Sequence, residues 1–250
     1  MIDKRVSSFD EAVRDLGDGA RLLIGGFAGF AECPSYLVAA VARKEVKGLT
    51  IVGNSPGLGQ EHMKKRMERL FKCPDDYYPP SFLIERGQVR KGILAFPAAM
   101  GSSRSPFEEA YAKGEIELEL IGQGSLAERI RTARAGIAGF YTPVGVGTFV
   151  AAGKEVREFD GRRYVLERAL KGDFSLIRAH RADRYGNLVY RGTTRTFNAT
   201  MAGASAITIA EVDEIVEAGE LVPEHIVTPG VYVQRVVVRP SEPRAWNLPA

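Results

Sequence analysis

Cysteine is nearly absent from this chain of 250 residues, with Cys33 and Cys73 the only two. Two thiols cannot build a disulfide framework, and they read as reduced thiols of a cytosolic protein. Histidine is almost as scarce. His62, His180 and His225 are isolated, with no His or Cys at metal-ligand spacing, so the sequence offers no metal site. His62 lies in a charged stretch and reads as solvated; His180, between Arg178 and Arg181, reads as structural or solvated rather than as a base. Neither sign of charge dominates: 34 Lys and Arg face 31 Asp and Glu, a net of +3. That balance makes no case for a nucleic acid partner. No apolar run approaches the roughly 18 residues of a membrane span. The opening Met1-Ile2-Asp3-Lys4-Arg5 lacks the apolar core of a signal peptide, so the expected location is cytoplasmic. There are no repeats, low-complexity segments or internal linkers. The expectation is one domain over residues 1–240 and a loosely ordered, proline-rich tail at 241–250.

What is present suits a globular protein with a sizeable core: 45% of residues are hydrophobic and 26% charged. Residues 8–16 suit a capped helix, 21–24 a buried strand, 35–45 a helix and 49–52 a second buried strand. A charged helix is predicted at 60–71. Three prolines make 72–82 irregular. Further strands are predicted at 92–96, 116–120, 137–141, 174–179, 206–210 and 231–238, with helices from Pro106 and over 125–134. Asp160-Gly161 reads as the tip of a hairpin. Strands that alternate with helices imply an α/β class: a single domain with a mainly parallel sheet flanked by helices.

Two stretches suggest chemistry. Leu22-Leu23-Ile24 is stopped by Gly25-Gly26, and a helical pattern starts beyond Pro34. Glycines at the carboxyl end of a buried strand let a ligand approach the backbone, although a plain βα turn has the same signature. Gly53-Asn54-Ser55-Pro56-Gly57 fits the nucleophile elbow of α/β-hydrolases, with Asp173 or Asp183 and His225 as partners for Ser55 in the right order. Pro56 argues against that reading. It has no N–H for the oxyanion hole, where one donor contributes roughly 2.7–4 kcal/mol.

The glycine stretch, with Asp18-Gly19 before it and Phe27 after it, resembles the signature of the α subunit of family I CoA-transferases. Gln123-Gly124-Ser125-Leu126-Ala127-Glu128-Arg129 is similar to that family's QGTLAER helix start, and Phe140-Tyr141-Thr142-Pro143-Val144-Gly145-Val146-Gly147-Thr148 to its FYTPTGxGT loop. Gly172 to Ile177 and Ala182 to Leu188 match two more of its segments. Together they cover about residues 8–238.

The resemblance implies a CoA-transferase fold and ping-pong transfer of CoA between an acyl-CoA, such as succinyl-CoA, and a 3-oxoacid or other short carboxylate. It implies no permanently bound cofactor; a coenzyme A thioester is the substrate. The nucleophilic glutamate of the family lies in the β subunit, in a Ser-Glu-Asn-Gly segment that this chain lacks. The implied partner is that β subunit, in a heterodimer or an α2β2 assembly. The resemblance makes Asn54 an oxyanion donor and gives substrate or CoA contacts to Gly25, Gly26, Phe27, Ala28, Gly29, Gln123, Gly124, Gly145 and Gly147. A turn in which Asn54 bonds its own backbone is the competing reading.

The chain departs from the family pattern at Ala31-Glu32-Cys33-Pro34, one residue longer, and at Pro97-Ala98-Ala99-Met100, where members read VGEN. Residues 59–82 resemble an insertion. These departures leave a divergent CoA-thioester hydrolase or lyase as the alternative on the same scaffold, with a non-enzymatic or sugar-phosphate-isomerase-like protein behind it.

Overall fold

The computed structural model describes residues 2–27, 32–59, 77–99 and 104–240. In chain order its elements are α1 (Phe9–Ala12), β1 (Arg21–Ile24), α2 (Ser35–Arg43), β2 (Leu49–Gly53), α3 (Ser81–Glu85), β3 (Val89–Leu94), α4 (Pro106–Ala112), β4 (Glu117–Leu120) and α5 (Gln123–Arg134). Then follow β5 (Gly139–Thr142), β6 (Val156–Phe159), β7 (Arg162–Arg168), β8 (Gly172–Asp183), β9 (Leu188–Val189), α6 (Thr196–Met201), β10 (Ser205–Val216) and β11 (Arg235–Val238).

Successive side chains of a strand point to opposite faces, and β1 shows what that does. Leu22 and Ile24 enter one core with Leu37 and Val41 of α2, Leu83 of α3 and Phe107 of α4. Leu23 enters the other core with Leu126 and Ile130 of α5 and Phe197 and Met201 of α6. Each such side chain contributes roughly 1.5–3 kcal/mol on burial. A strand apolar on both faces therefore sits inside a three-layered α/β sandwich.

The main sheet among the described residues runs β11-β10-β8-β1-β2-β3-β4, with β9 antiparallel beside β8 and every other pair parallel. From β1 the chain builds outward through β2, β3 and β4, and later returns to lay β8 on the other flank. The carboxyl end of β1 is thus a topological switch point, the place where open α/β sheets bind ligands. A second, antiparallel sheet is ordered β5-β7-β6. Its hairpin turns at Asp160 and Gly161, with φ of 51° and 73°, the double left-handed pair of a two-residue turn.

Several expected boundaries move. The first helix is only Phe9–Ala12, capped by Ser8 Oγ. Prolines 79 and 80 do not keep 81–82 irregular. They precede α3, where a missing N–H costs nothing because the first helical donors have no partner anyway. The strand expected at 137–141 is Gly139–Thr142 and belongs to the small antiparallel sheet. The strand expected at 231–238 starts only at Arg235, because Gly230–Tyr232 form a 3₁₀ turn after Pro229. The strands expected at 174–179 and 206–210 are twelve residues each, paired from Gly172↔Ser205 to Asp183↔Val216. Their polar halves resemble loop in the sequence and are strand in space because Arg178 and His180 on β8 meet Asp213 on β10. The charged helix expected at 60–71 and the tail at 241–250 lie outside the described residues, as do most of the 59–82 stretch and Met100.

Candidate functional site

The chain leaves β1 through two glycines that are needed for different reasons. A Cβ at Gly25 would overlap Oδ1 of Asn198. Gly26 has φ +102°, and a Cβ there would come within 3.2 Å of the Glu32 backbone. Ala28 and Gly29 lie outside the described residues. On the near side of them the Phe27 N–H donates to Oε2 of Glu32 at 2.7 Å. The Phe27 ring stacks on Phe197 of α6, centroids 6.4 Å apart and 20° between planes.

Asn54 follows the last residue of β2 and is 5% exposed. Its Nδ2 donates to the Phe27 carbonyl at 2.9 Å, and its Oδ1 accepts from Nε2 of Gln123 at 2.9 Å. Gln123 is the first residue of α5. Three segments far apart in sequence therefore meet on one amide: the glycine loop, the end of β2 and the start of α5. The reading in which Asn54 bonds its own backbone is overturned, since the side chain reaches residues 27 and 123 instead. A primary amide carries two N–H donors, and only one goes to Phe27. The second makes no hydrogen bond among the described residues.

The hydrolase reading of Ser55 fails on geometry. Ser55 Oγ accepts from the Gly57 N–H at 3.2 Å in a local turn. Asp183 is occupied by the N–H groups of Tyr185 and Asn187 and by Nδ2 of Asn187. Asp173 accepts from the Arg21 N–H at the amino end of the sheet, opposite to Ser55. His225 is exposed in a 3₁₀ turn. His180 is a structural partner of Asp213 at 3.0 Å. Among the described residues no group of three or more His, Cys, Asp or Glu is placed to hold a metal ion.

The other candidate glycines differ. Gly145 and Gly147 have φ of +86° and +78°, so the loop after β5 requires them, and Oγ1 of Thr148 ties it by donating to the Gly145 carbonyl at 2.7 Å. That loop lies against the start of α5: Val144 Cγ1 would be 3.7 Å from a Cβ at Gly122. Gly124 has open space around it and no positive φ, so its backbone makes no special demand there. The rim around these loops is apolar and uncovered, with Phe27 41%, Phe96 45%, Val144 55% and Phe149 73% exposed.

Sequence reading missed the residues that hold the loop. Asn198, fully buried in α6, donates Nδ2 to the carbonyls of Glu32 and Thr194, both at 2.8 Å, and accepts the Arg178 N–H at 2.8 Å. Glu211 on β10 supplies what α2 lacks. That helix has Pro34 at its N-cap and no side-chain cap. Oε2 of Glu211 accepts the N–H groups of Tyr36 and Leu37, both at 3.0 Å, and Oε1 pairs with Nε of Arg239 at 3.0 Å. Burial pushes the Glu211 carboxyl up to about 7, against the pull of Arg239 and Arg178. Burial, with the nearby Glu211 charge, also pushes the Cys33 thiol up, away from thiolate chemistry. No local signal marks Asn198 or Glu211, because each acts on a segment more than 150 residues away.

The coenzyme A transferase family profile matches residues 6–69 and 78–239, so its break falls inside the 59–82 stretch. The chain is 45% identical over 237 residues to the A subunit of 3-oxoadipate CoA-transferase of Pseudomonas putida, covering 95% of this chain and 94% of that one. It is 44% identical over 239 residues to the A subunit of a probable succinyl-CoA:3-ketoacid coenzyme A transferase of Bacillus subtilis, covering 96% and 91%. Among solved structures it matches an acyl-CoA transferase of E. coli O157:H7, with a TM-score of 0.79 and 23% identity, over 98% of this chain and 49% of that one. The chain thus spans about half the length of that solved enzyme. These names favour transfer over the hydrolase or lyase alternative, and the chain belongs to the coenzyme A transferase family.

Proposed function

We propose that this chain is the α subunit of a two-subunit CoA-transferase that moves coenzyme A between an acyl-CoA, such as succinyl-CoA, and a 3-oxoacid or other short carboxylate. The observation that carries the reading is the Asn54 amide. It is fixed by Phe27 and Gln123 at the switch point of the sheet, and its second N–H, which makes no hydrogen bond among the described residues, suits a ligand oxygen. Acyl transfer from a thioester develops negative charge on the carbonyl oxygen, and a fixed neutral donor stabilises that charge without reorganising.

The nucleophile belongs to the partner. This chain has no Ser-Glu-Asn-Gly segment, and its buried glutamates are engaged in structure. Glu32 holds the Phe27 N–H, Glu167 pairs with Lys154, and Glu211 caps α2. In the proposed cycle the partner's glutamate attacks the thioester carbonyl, the C–S bond breaks, CoA leaves as thiolate, and a mixed anhydride of the glutamate and the acid is formed. The thiolate attacks the glutamyl carbonyl and releases the first acid as a carboxylate. The acceptor carboxylate then attacks the glutamyl-CoA thioester and the steps reverse. A carboxylate is a weak nucleophile, so remote binding of the CoA moiety must lower the barrier. The exposed Phe27, Phe96, Val144 and Phe149 would be covered by the partner, in an interface of roughly 2,000 Å² or more.

The test is co-expression with the β subunit. Transferase activity is expected from the pair and from neither chain alone. Borohydride trapping in the presence of acyl-CoA should mark a glutamate of the partner. Robust transfer by this chain alone, or a trapped glutamate within it, overturns the proposal.

A further inference from the structure

We infer that Asn198 is a positioning residue for the reaction: it sets the Asn54 amide through the glycine loop without touching substrate. The inference rests on the proposed oxyanion role of Asn54 and extends it to a residue outside the site.

The chain of contacts is short and continuous. Asn198 is fully buried, and its amide joins three segments: the Glu32 carbonyl, the Thr194 carbonyl and the Arg178 N–H. All three bonds are short and every group is satisfied, which makes such a buried junction rigid. Gly25 lies so close to Oδ1 of Asn198 that no side chain fits between them, so the outgoing limb of the loop is seated directly on this amide. The returning limb is held through Glu32. The Glu32 carboxylate in turn takes the Phe27 N–H at 2.7 Å, and Phe197, next to Asn198 in α6, supports the Phe27 ring. The Phe27 carbonyl accepts one N–H of Asn54 at 2.9 Å. A planar amide whose first N–H is aimed in this way has its second N–H aimed as well. Displacement of the loop rotates the donor that meets the thioester oxygen. Misplacement of a reacting group by about 1 Å costs up to roughly 10²-fold in rate.

Two variants probe the two ends of this chain in the assembled two-subunit enzyme: Asn198→Ser and Glu32→Ala, with Glu32→Gln as the conservative control that retains an acceptor for Phe27. Each is made in the wild-type and in the Asn54→Ala background. Asn198→Ser and Glu32→Ala are expected to lower kcat roughly 10-fold or more with a smaller change in KM, and Glu32→Gln to recover most of the loss. In the Asn54→Ala background the same substitutions should cost less than about 2-fold, since sites acting through one group are not additive.

A second readout does not depend on turnover. The side-chain amide resonances of Asn54, identified by their loss in Asn54→Ala, should shift in both variants. If Asn54→Ala keeps wild-type turnover, the oxyanion reading fails, and the amide resonances alone still decide whether Asn198 positions Asn54. Losses that multiply in the double variants, or unmoved Asn54 resonances, overturn the inference. If Asn198→Ser does not fold, Glu32→Ala gives the same decision from the other end of the chain.

Discussion

The glycine loop is tied at both ends, and the two ties are chemically unlike. One tie is Asn198, seated against Gly25 at the β1 end and bonded to the Glu32 carbonyl of the returning limb, a neutral amide with all three of its bonds made inside the protein. At the α2 end the tie is Glu211, a fully buried carboxylate that caps the helix and faces Arg239. A neutral amide has no charge to desolvate, so its hold does not depend on pH. A buried carboxylate must keep or lose a proton, and its hold does. The loop therefore combines a tie that only shape can disturb with one that protons can reach.

The contrast is broken most severely by making the first tie resemble the second. Asn198→Asp turns a carboxylate oxygen toward the Glu32 and Thr194 carbonyl oxygens in place of an amide donor, at a fully buried position. A loss on the order of 3–5 kcal/mol is expected, read as the shift of the denaturant midpoint. A midpoint within error of wild type would show that the amide is not the rigid junction described.

Gly25→Ala presses on the same junction from the loop side. Its Cβ would overlap Asn198 Oδ1, and a loss of roughly 1–3 kcal/mol with a fall in turnover is expected. Gly124→Ala is the control. It meets open space and should stay within about 0.5 kcal/mol of wild type. Equal behaviour of the two glycines in thermal unfolding would contradict a close approach at Gly25 that is absent at Gly124.

The second tie should show itself as a pH dependence. The Glu211 carboxyl, ordinarily at 4.5, is raised to about 7 in the folded protein. The folded state therefore holds this proton to higher pH than the unfolded chain does. The associated stability is fully present below about 4.5 and is lost as pH rises through about 7. The stability of wild type minus that of Glu211→Gln should fall by on the order of 1–3 kcal/mol across that window. The corresponding difference for Asn198→Ser should stay flat. Parallel curves for wild type and Glu211→Gln would remove the distinction between the two ties.

Legibility in the sequence follows the same division. β1, Gly25 and Gly26 are legible because a run of three apolar residues stopped by glycine is a local pattern. The Asp160-Gly161 hairpin is legible for the same reason. Asn54 stands out by its place in a resembling motif, but its contacts to Phe27 and Gln123 need three segments to be brought together. Asn198 and Glu211 carry no local mark, and Glu211 lies just beyond the predicted end of its strand. Polar residues on β8 and β10 satisfy one another across the sheet, so the period-two apolar signal stops several residues before the strands do. Prolines 79 and 80 read as breakers, whereas their position at a helix start makes them harmless.

The second N–H of Asn54, which makes no hydrogen bond among the described residues, is the centre of the proposed chemistry, and turnover of the assembled two-subunit enzyme tests it most directly. Asn54→Ala should lower kcat by roughly 10²-fold or more, as for other oxyanion donors, while Ser55→Ala, which loses only a local turn, should keep most of the activity. A folded Asn54→Ala enzyme with wild-type turnover, or a folded Ser55→Ala enzyme without activity, would contradict it.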